Sequence, residues 1–215
     1  MRIPAAILAA GATAVLMAGT GAVPALAAPA AHAGTAAAAD STISATYPVN
    51  GTTTIKKLNN TLVDLGPGSL AVVLDTTNST LTANLSLPAA TVSASVLGIS
   101  VTATTNFIQD GTATGTADLS TNDVTTTADE TLQITSLTVG GLNIPVGKNC
   151  ETVQPASITV ASQSGFNVLF GGNLAGTYTI PEFAHCGLAT LLIDLSIPGA
   201  NNTITLTLGG ATLTS

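Results

Sequence analysis

Strict alternation of polar and apolar side chains is the feature that most limits how this chain can fold. Residues 80–87 read TLTANLSL. Successive side chains of a β-strand point to opposite faces, so this pattern puts the three leucines and Ala83 on one face, toward a core. Residues 203–208 (TITLTL) repeat the pattern and stop at two glycines. We therefore predict two half-buried strands, of which the second closes the domain.

Similar patterns predict further strands along the chain. We expect them over 46–56, 70–74, 91–107, 125–139 and 157–161, with a hairpin around Gly171 and Gly172 that joins 166–170 to 176–180. Many strands at this spacing, with almost no long helical periodicity, are typical of an all-β fold, a single antiparallel β-sandwich or a β-barrel. The sequence leaves these two architectures open.

One short helix is predicted near the carboxyl end, at residues 188–197. Leucines at 188, 191, 192 and 195 have the i, i+3, i+4, i+7 spacing of a helix, and Pro198 and Gly199 end it. The helix follows Cys186 closely. We therefore expect a disulfide to hold it against the sheet, where it plugs a barrel end or covers a sandwich edge.

The amino terminus has the order of a secretory signal peptide. Arg2 precedes an apolar run over residues 5–19, which is followed by small residues suited to a signal peptidase. Cleavage after Ala27 leaves Ala28 first, whereas cleavage after Ala28 would leave Pro29 first. We predict a signal peptide over 1–27, with cleavage after Ala33 as the alternative. The mature protein is then secreted and extracellular, or loosely associated with the cell wall.

The remaining chain suits one domain with a flexible lead-in. Residues 28–42 lack large apolar side chains, so we predict a lead-in there and a single β-domain over 43–215. The net charge of −7 becomes −8 once Arg2 leaves with the leader. A chain this acidic lacks the electrostatic footprint of a nucleic-acid-binding protein. No apolar stretch after the leader approaches the length of a transmembrane segment.

Cys150 and Cys186 are the only cysteines in the chain. An exported compartment favours their pairing, and their wide spacing does not fit a redox motif. We therefore predict a Cys150–Cys186 disulfide. Without a cysteine behind the apolar core of the leader, covalent lipid anchoring is not expected.

Four further segments support a resemblance. They are the Thr-rich opening TYPVNGTT (46–53), GKNC (147–150), GTYTIP (176–181) and NTITL (202–206). Together with the leader they resemble small exported Thr/Ala-rich β-proteins of high-GC actinobacteria. The resemblance covers most of the mature chain. It implies a Gram-positive extracellular setting and carries no activity over to this chain.

Groups suited to catalysis or metal binding are scarce. His185 is the only histidine after the lead-in, and no nucleophile-elbow motif accompanies it or Asp194. One histidine and two paired cysteines cannot supply a zinc site. We predict no catalytic residue, no metal and no cofactor, with His185 at the surface or beside the core.

Carboxylates offer two weaker possibilities. A glycosidase needs two facing carboxylates, and the candidates are Asp110, Asp118, Asp123, Asp129 and Glu130. Asp129 and Glu130, however, point to opposite faces if they lie on a strand. The oxygen ligands of a calcium loop could come from Asp118, Ser120, Asn122 and Asp129. Asp123 stands where such a loop needs glycine, so a solvated turn is the preferred interpretation.

The expected function is therefore that of a secreted, non-enzymatic β-domain. Small inward side chains could leave a barrel interior wide enough for a hydrophobic small molecule or lipid. A cell-envelope or extracellular structural role remains open beside it. The alternatives are a secreted hydrolase that uses carboxylates and an envelope β-barrel pore.

Overall fold

The computed structural model describes residues 42–214. The predicted signal peptide, its cleavage at Ala27 and Ala28, and almost all of the lead-in lie outside these residues. The strands of the described chain are β1 (Thr42–Ile55), β2 (Thr61–Asp75), β3 (Thr80–Ser86), β4 (Ala90–Val96), β5 (Ile99–Gln109), β6 (Ala113–Asp118), β7 (Asp123–Val139), β8 (Leu142–Asn143), β9 (Glu151–Thr152), β10 (Ala156–Ser162), β11 (Gly172–Ile180), β12 (Phe183–Ala184), β13 (Gly199–Leu208) and β14 (Thr212–Thr214).

Eight of these strands close into an antiparallel barrel, which confirms the all-β prediction and decides between sandwich and barrel. Around the barrel the order is β10, β11, β13, β1, β2, β3, β6 and β7, and β7 pairs with β10 to close the ring. Closure leaves these eight strands without an exposed pairing edge.

The alternation in the sequence marks the inner surface of the barrel. Leu81 and Ala83 of β3 are buried, and Leu85 and Leu87 pack against the core. The predicted closing strand is confirmed as β13, with Ile204 among its buried residues. The hydrophobic effect of burying one face of each strand thus selects the inner surface.

A bulge changes which residues of β2 face inward. Leu65 is buried before the bulge and Leu70 after it, so the inward positions change from odd to even numbers. The β1–β2 register shifts between Val49 and Gly51. Opposite this shift, Gly66 has φ +115° and a Cβ there would lie 2.9 Å from the Val49 carbonyl oxygen. Only glycine fits such a position without strain.

One end of the barrel is closed by the second half of β7. Residues 123–127 of β7 pair with β6 in the barrel wall, whereas residues 130–139 pair with β5, and β4 adds to β5. Buried side chains from these strands, among them Val92 and Leu132, pack toward the opposite wall. Two interior cavities at this end measure only about 20 and 40 Å³, and a partly polar cleft of about 410 Å³ lies on the outer surface beside α1. This end is therefore a packed core.

The predicted helix is present as a 3-10 turn, Gly187–Ala189, followed by α1, Thr190–Ser196. Its buried side chains are Ala189 and Ile193. Of the four leucines that predicted the helix, Leu188, Leu191 and Leu195 are 100%, 77% and 74% exposed, and Leu192 alone is half-buried, where it lines one of the small cavities. The helix covers the closed end of the barrel with a face that the leucine spacing did not mark.

The predicted disulfide joins Cys150 to Cys186, and both residues are fully buried. The Ile134 N–H donates a hydrogen bond to the Cys150 carbonyl oxygen at 2.8 Å, which ties the bridge to β7. On the helix side, the Asp194 carboxylate accepts a hydrogen bond from the Phe183 N–H at 2.8 Å. The bridge and this contact hold α1 at the closed end.

The prediction of a strand over residues 166–170 is wrong. This segment forms a loop whose only bridge pairs Asn167 with Gly171, and β11 pairs with β10 and β13 instead. Within residues 42–214, no helix is long and apolar enough to cross a bilayer.

Candidate functional site

The open end of the barrel contains a cavity of about 430 Å³, which we call the outer cavity. This volume falls within the range of roughly 300–1,000 Å³ found for small-molecule sites. Its lining side chains are mostly apolar, and they are Ile43, Ala45, Tyr47, Leu70, Val72, Leu74, Leu81, Ala83, Ala117, Leu119, Asn122, Val124, Thr126, Phe166, Asn167, Val168, Leu169, Leu174, Leu208 and Leu213.

Small side chains at inward positions account for this space. Ala45 of β1, Ala83 of β3 and Ala117 of β6 all face the cavity and are at most 7% exposed. A barrel of eight strands has an interior that ordinary large side chains can just fill. Alanine at three wall positions leaves part of it empty, and the surrounding leucines make the empty volume apolar.

A loop over residues 163–171, which we call the mouth loop, crosses the open end. The Tyr47 hydroxyl donates a hydrogen bond to the Val168 carbonyl oxygen at 2.8 Å, and the Val168 N–H donates to Asn122 Oδ1 at 3.2 Å. Asn122 lies in the β6–β7 turn with φ 61°, a conformation that asparagine tolerates better than most residues. The mouth loop is thus tied to opposite parts of the rim.

Large apolar side chains are exposed around the mouth. Leu119 is 47% exposed, Leu169 56%, Leu213 61% and Phe170 80%. Three of these four also line the outer cavity. The entrance is therefore apolar on both its inner and its outer surface, which suits a hydrophobic molecule that enters from outside.

A smaller cavity of about 50 Å³, the inner cavity, lies deeper in the barrel. It shares four lining residues with the outer cavity: Leu70, Ala83, Thr126 and Leu174. These side chains stand where the two cavities meet. Glu130 of β7 lines the inner cavity among mainly apolar side chains and is 4% exposed.

Glu130 is a buried carboxyl group with an unsatisfied oxygen. Its Oε1 is buried and has no hydrogen-bond partner among the described residues. Burial, and to a smaller extent the negative charges of Asp110 and Asp129, raises the pKa of Glu130 from 4.5 to about 7. Buried polar atoms in proteins nearly always have a partner, so this oxygen requires an explanation.

The polar side chains beside Glu130 are occupied by the barrel wall. Gln109 is its register partner on β5, and its amide nitrogen donates to the carbonyl oxygens of Ala83 and Gly111 while its oxygen accepts from the Leu85 N–H. These bonds join β5 to β3 near the point along β7 where its pairing partner changes from β6 to β5. The Gln109 amide group is therefore committed to the backbone.

The carboxylates named from the sequence do not face a common cleft. Asp110 and Asp129 are exposed on the outside of the wall, and Asp110 accepts a hydrogen bond from the Thr131 hydroxyl at 2.6 Å. Glu130 faces the interior, as the alternation of adjacent strand residues requires. Asp118 and Asp123 pair at the tip of the β6–β7 hairpin, away from Glu130 along the strand.

The calcium candidates form a turn. Asp118 Oδ1 accepts hydrogen bonds from the Ser120 N–H at 2.8 Å and the Ser120 hydroxyl at 2.6 Å, and these bonds lower the pKa of Asp118. Asn122 binds the mouth loop, and Asp129 lies farther along β7. Within residues 42–214, no three His, Cys, Asp or Glu side chains come together as metal ligands.

His185 is exposed, and the carboxylate of Asp194 is engaged with the Phe183 backbone. His185 has φ 59° and follows β12 directly. It lies at the surface next to the disulfide, where the sequence placed it.

Sequence reasoning missed Glu130 as an interior group, although the signal was present. Leu132 and Ile134 follow Glu130 at two-residue spacing, and both are buried. Continuing that alternation backward along β7 puts Glu130 on the inner face. The mouth loop had no comparable signal, because its closing contacts come from β1 and the β6–β7 turn.

Comparison of the chain with protein-family models, with curated proteins and with solved structures gave no match.

Proposed function

We propose that this protein binds a hydrophobic small molecule or lipid inside its barrel. The observation that carries the proposal is the apolar outer cavity of about 430 Å³. Protein interiors are close-packed, and a void of this size loses favourable contacts unless something fills it. The packed closed end shows that the same chain fills its core elsewhere. The large apolar volume thus lies at the end that an apolar entrance serves, whereas the cleft of about 410 Å³ beside α1 is an open surface feature with Lys57, Glu182 and Asp194 in its lining.

The entrance supports the same function. Exposed leucines and Phe170 surround the mouth, and three hydrogen bonds attach the tip of the mouth loop to the rim: two at Val168 and one from the Ala211 N–H to the Leu169 carbonyl oxygen at 2.9 Å. A loop held by few contacts can open without unfolding the barrel. An apolar ligand would gain about 25 cal/mol for each Å² of its surface that leaves water.

We further propose an extracellular location. The leader pattern and the Cys150–Cys186 disulfide support it, because disulfides persist mainly in oxidising compartments. The mass of the protein recovered from culture medium tests this location. A chain that begins at Ala28 is expected, and recovery of only the full-length chain inside cells would contradict it.

The binding experiment uses Nile red, an uncharged apolar dye whose emission rises in apolar surroundings. We expect saturable binding of one dye per chain to the wild-type protein. Ala117→Phe places a ring in the outer cavity and should abolish binding. Thr116→Phe adds the same ring on the same strand but on the outside, where Thr116 is exposed, and should leave binding unchanged.

Two further measurements keep this test decisive. Ala83→Leu fills the region where the two cavities meet and should also weaken dye binding, and circular dichroism verifies that each variant folds. Native mass spectrometry of the secreted protein should detect a bound apolar molecule. If the folded wild-type protein bound no dye and carried no such molecule, or if Ala117→Phe and Thr116→Phe bound dye equally, the proposal would be wrong.

A further inference from the structure

Glu130 is the single ionisable side chain on the lining of the inner cavity. It lies at 4% exposure, its Oε1 lacks a partner among the described residues, and apolar side chains such as Phe107 and Leu206 surround it. Burying a carboxyl group in such surroundings costs several kcal/mol unless a partner compensates it. An interior apolar residue would avoid that cost. The presence of a carboxyl group at this position therefore indicates that a partner binds there.

The described chain does not offer that partner. Gln109 is committed to backbone groups of β3 and the following turn. Thr126, the other polar residue on the inner lining, donates its hydroxyl hydrogen to the Thr114 carbonyl oxygen at 3.2 Å. The side chains of Gln109 and Thr126 are thus both engaged in hydrogen bonds with backbone groups. A hydrogen-bond donor for Glu130 Oε1 is therefore left to a molecule that enters the cavity, a water or a ligand.

The charges around Glu130 favour a cation. The inner cavity is lined by residues of β2, β3, β5, β6, β7, β10, β11 and β13, together with Leu87. None of the described strands contains Lys, Arg or His. The other charged residues on or directly after the lining strands are all acidic, and they are Asp64, Asp75, Asp110, Asp118, Asp123 and Asp129. Of these, Asp110 and Asp129 act on Glu130, and with burial they raise its pKa to about 7.

The path from the mouth to Glu130 suits an elongated molecule. Thr126 lines both cavities, and Glu130 lies four residues farther along β7, which corresponds to a rise of roughly 13 Å. Leu70 and Leu174 stand at the junction of the two cavities, so entry of a ligand into the inner cavity requires their side chains to change rotamer. A linear chain could pass between them with its head at Glu130 and its apolar body in the outer cavity.

We propose that the barrel binds an amphiphilic amine, whose protonated amine head pairs with the Glu130 carboxylate at the inner end while its apolar chain fills the outer cavity. This inference rests on the proposed binding function and specifies the class of ligand. A cationic head supplies both the hydrogen-bond donors and the positive charge that the barrel strands lack. A carboxylate head would place a second negative charge beside Glu130 and is disfavoured.

The experiment compares decylamine, decanol and decanoate, below their aggregation concentrations, as competitors for bound Nile red. In the wild-type protein we expect decylamine to bind more tightly than decanol, and decanoate to bind most weakly. Glu130→Gln keeps the size of the side chain but removes the charge. It should weaken decylamine binding by at least about tenfold. Nile red binding should change little.

Asp129→Asn is the matched control. Asp129 is adjacent on β7, has a carboxyl group as Glu130 does and points outward, so its substitution should leave the order of the three ligands unchanged. Calorimetry at pH 6, in two buffers of different ionisation enthalpy, gives a second readout. Binding of decylamine to the wild-type protein should release close to one proton from Glu130. Binding to the Glu130→Gln variant should release none.

The two proposals fail in different ways. Tight Nile red binding that Ala117→Phe blocks, together with equal affinities for decylamine and decanoate, would overturn the amine inference and leave the binding function in place. Unchanged decylamine affinity in Glu130→Gln would do the same. Absence of binding by the dye and by all three decyl compounds would overturn both proposals.

Discussion

The hydroxyl group of Tyr47 donates a 2.8 Å hydrogen bond to the carbonyl oxygen of Val168 and so attaches the mouth loop to the barrel wall. Burial raises the pKa of Tyr47 above its ordinary value, which keeps the hydroxyl protonated and able to donate. The bond joins residues that are 121 positions apart in the chain. Opening of the cavity therefore requires this contact to break.

Tyr47→Phe should accelerate exchange of a bound ligand. The substitution keeps the ring in the cavity wall but removes a hydrogen bond worth about 1 kcal/mol, so the loop should open roughly fivefold more often. Stopped-flow measurement of Nile red binding and release should show both rates rising by a similar factor, with little change in affinity.

Tyr178→Phe is the control for this experiment. Thr53 donates its hydroxyl hydrogen to the Thr203 carbonyl oxygen at 2.8 Å, so the Tyr178 hydroxyl must be the donor in its 2.8 Å bond to Thr53. Tyr178→Phe removes a buried bond of the same kind nearer the closed end. It should reduce stability without altering dye exchange. Unchanged exchange rates in Tyr47→Phe would show that the mouth loop does not control entry.

Glu130 should make the empty protein less stable as the pH rises from about 4.5 to above 7. Below its unfolded pKa of 4.5 the carboxyl group is protonated in both the folded and the unfolded state, and its full contribution to stability is present. As the pH passes through the folded pKa of about 7, the group ionises inside the barrel and that contribution is lost. The loss is at most about 3 kcal/mol in the free energy of unfolding.

Urea unfolding of wild-type protein and Glu130→Gln at pH 4.5 and pH 8 measures this effect. The free energy of unfolding of the wild-type protein should fall more steeply between the two pH values than that of the variant. Asp129→Asn, which removes an exposed carboxylate, should retain most of the wild-type slope. Parallel slopes for wild type and Glu130→Gln would contradict the prediction.

Removal of the disulfide should destabilise the fold without emptying the cavity. The bridge closes a loop with a sequence separation of 36 residues, which corresponds to roughly 3–4 kcal/mol in the chain-entropy model. The Cys150→Ala, Cys186→Ala double variant should unfold at a correspondingly lower urea concentration. Hydrogen exchange should increase first in α1 and the segment around Cys150.

Nile red binding separates this local effect from general loss of structure. The bridge lies at the closed end and the outer cavity at the open end, so the folded double variant should bind the dye with near wild-type affinity. A large loss of dye affinity in a still folded variant would show that the two ends are coupled.

Local patterns predicted many of the strands because barrel strands have one buried and one exposed face, but the single strand predicted over 91–107 is wrong, since these residues form the hairpin of β4 and β5. Alternation located β3 and β13 and assigned their inward residues correctly, since burial of one face is a local property of a strand. The predicted export and the cysteine count similarly led to the prediction of the disulfide, which the structure confirms. The choice of a barrel depended on pairing of β7 with β10, and the sequence pattern of either strand does not specify its neighbour.

Three features could be found only from the tertiary structure and not from the sequence. The short helix buries Ile193 and leaves three of its four leucines exposed, because the disulfide and the Asp194–Phe183 contact fix its orientation. Residues 166–170 form the mouth loop because Val168 finds partners on β1 and in the β6–β7 turn. The cavity itself depends on alanines from separate strands meeting at one level of the barrel.

The pairing of β1 with β13 has a consequence for how the protein is made. Thr53 on β1 lies opposite Ile204 on β13. The first long strand of the barrel therefore cannot pair with β13 until that strand, one of the last in the chain, has been synthesised. Until then the ring cannot close and most inward leucines lack their final neighbours. Folding dominated by such distant contacts is slow. The barrel should thus stay open until nearly the whole chain has been synthesised.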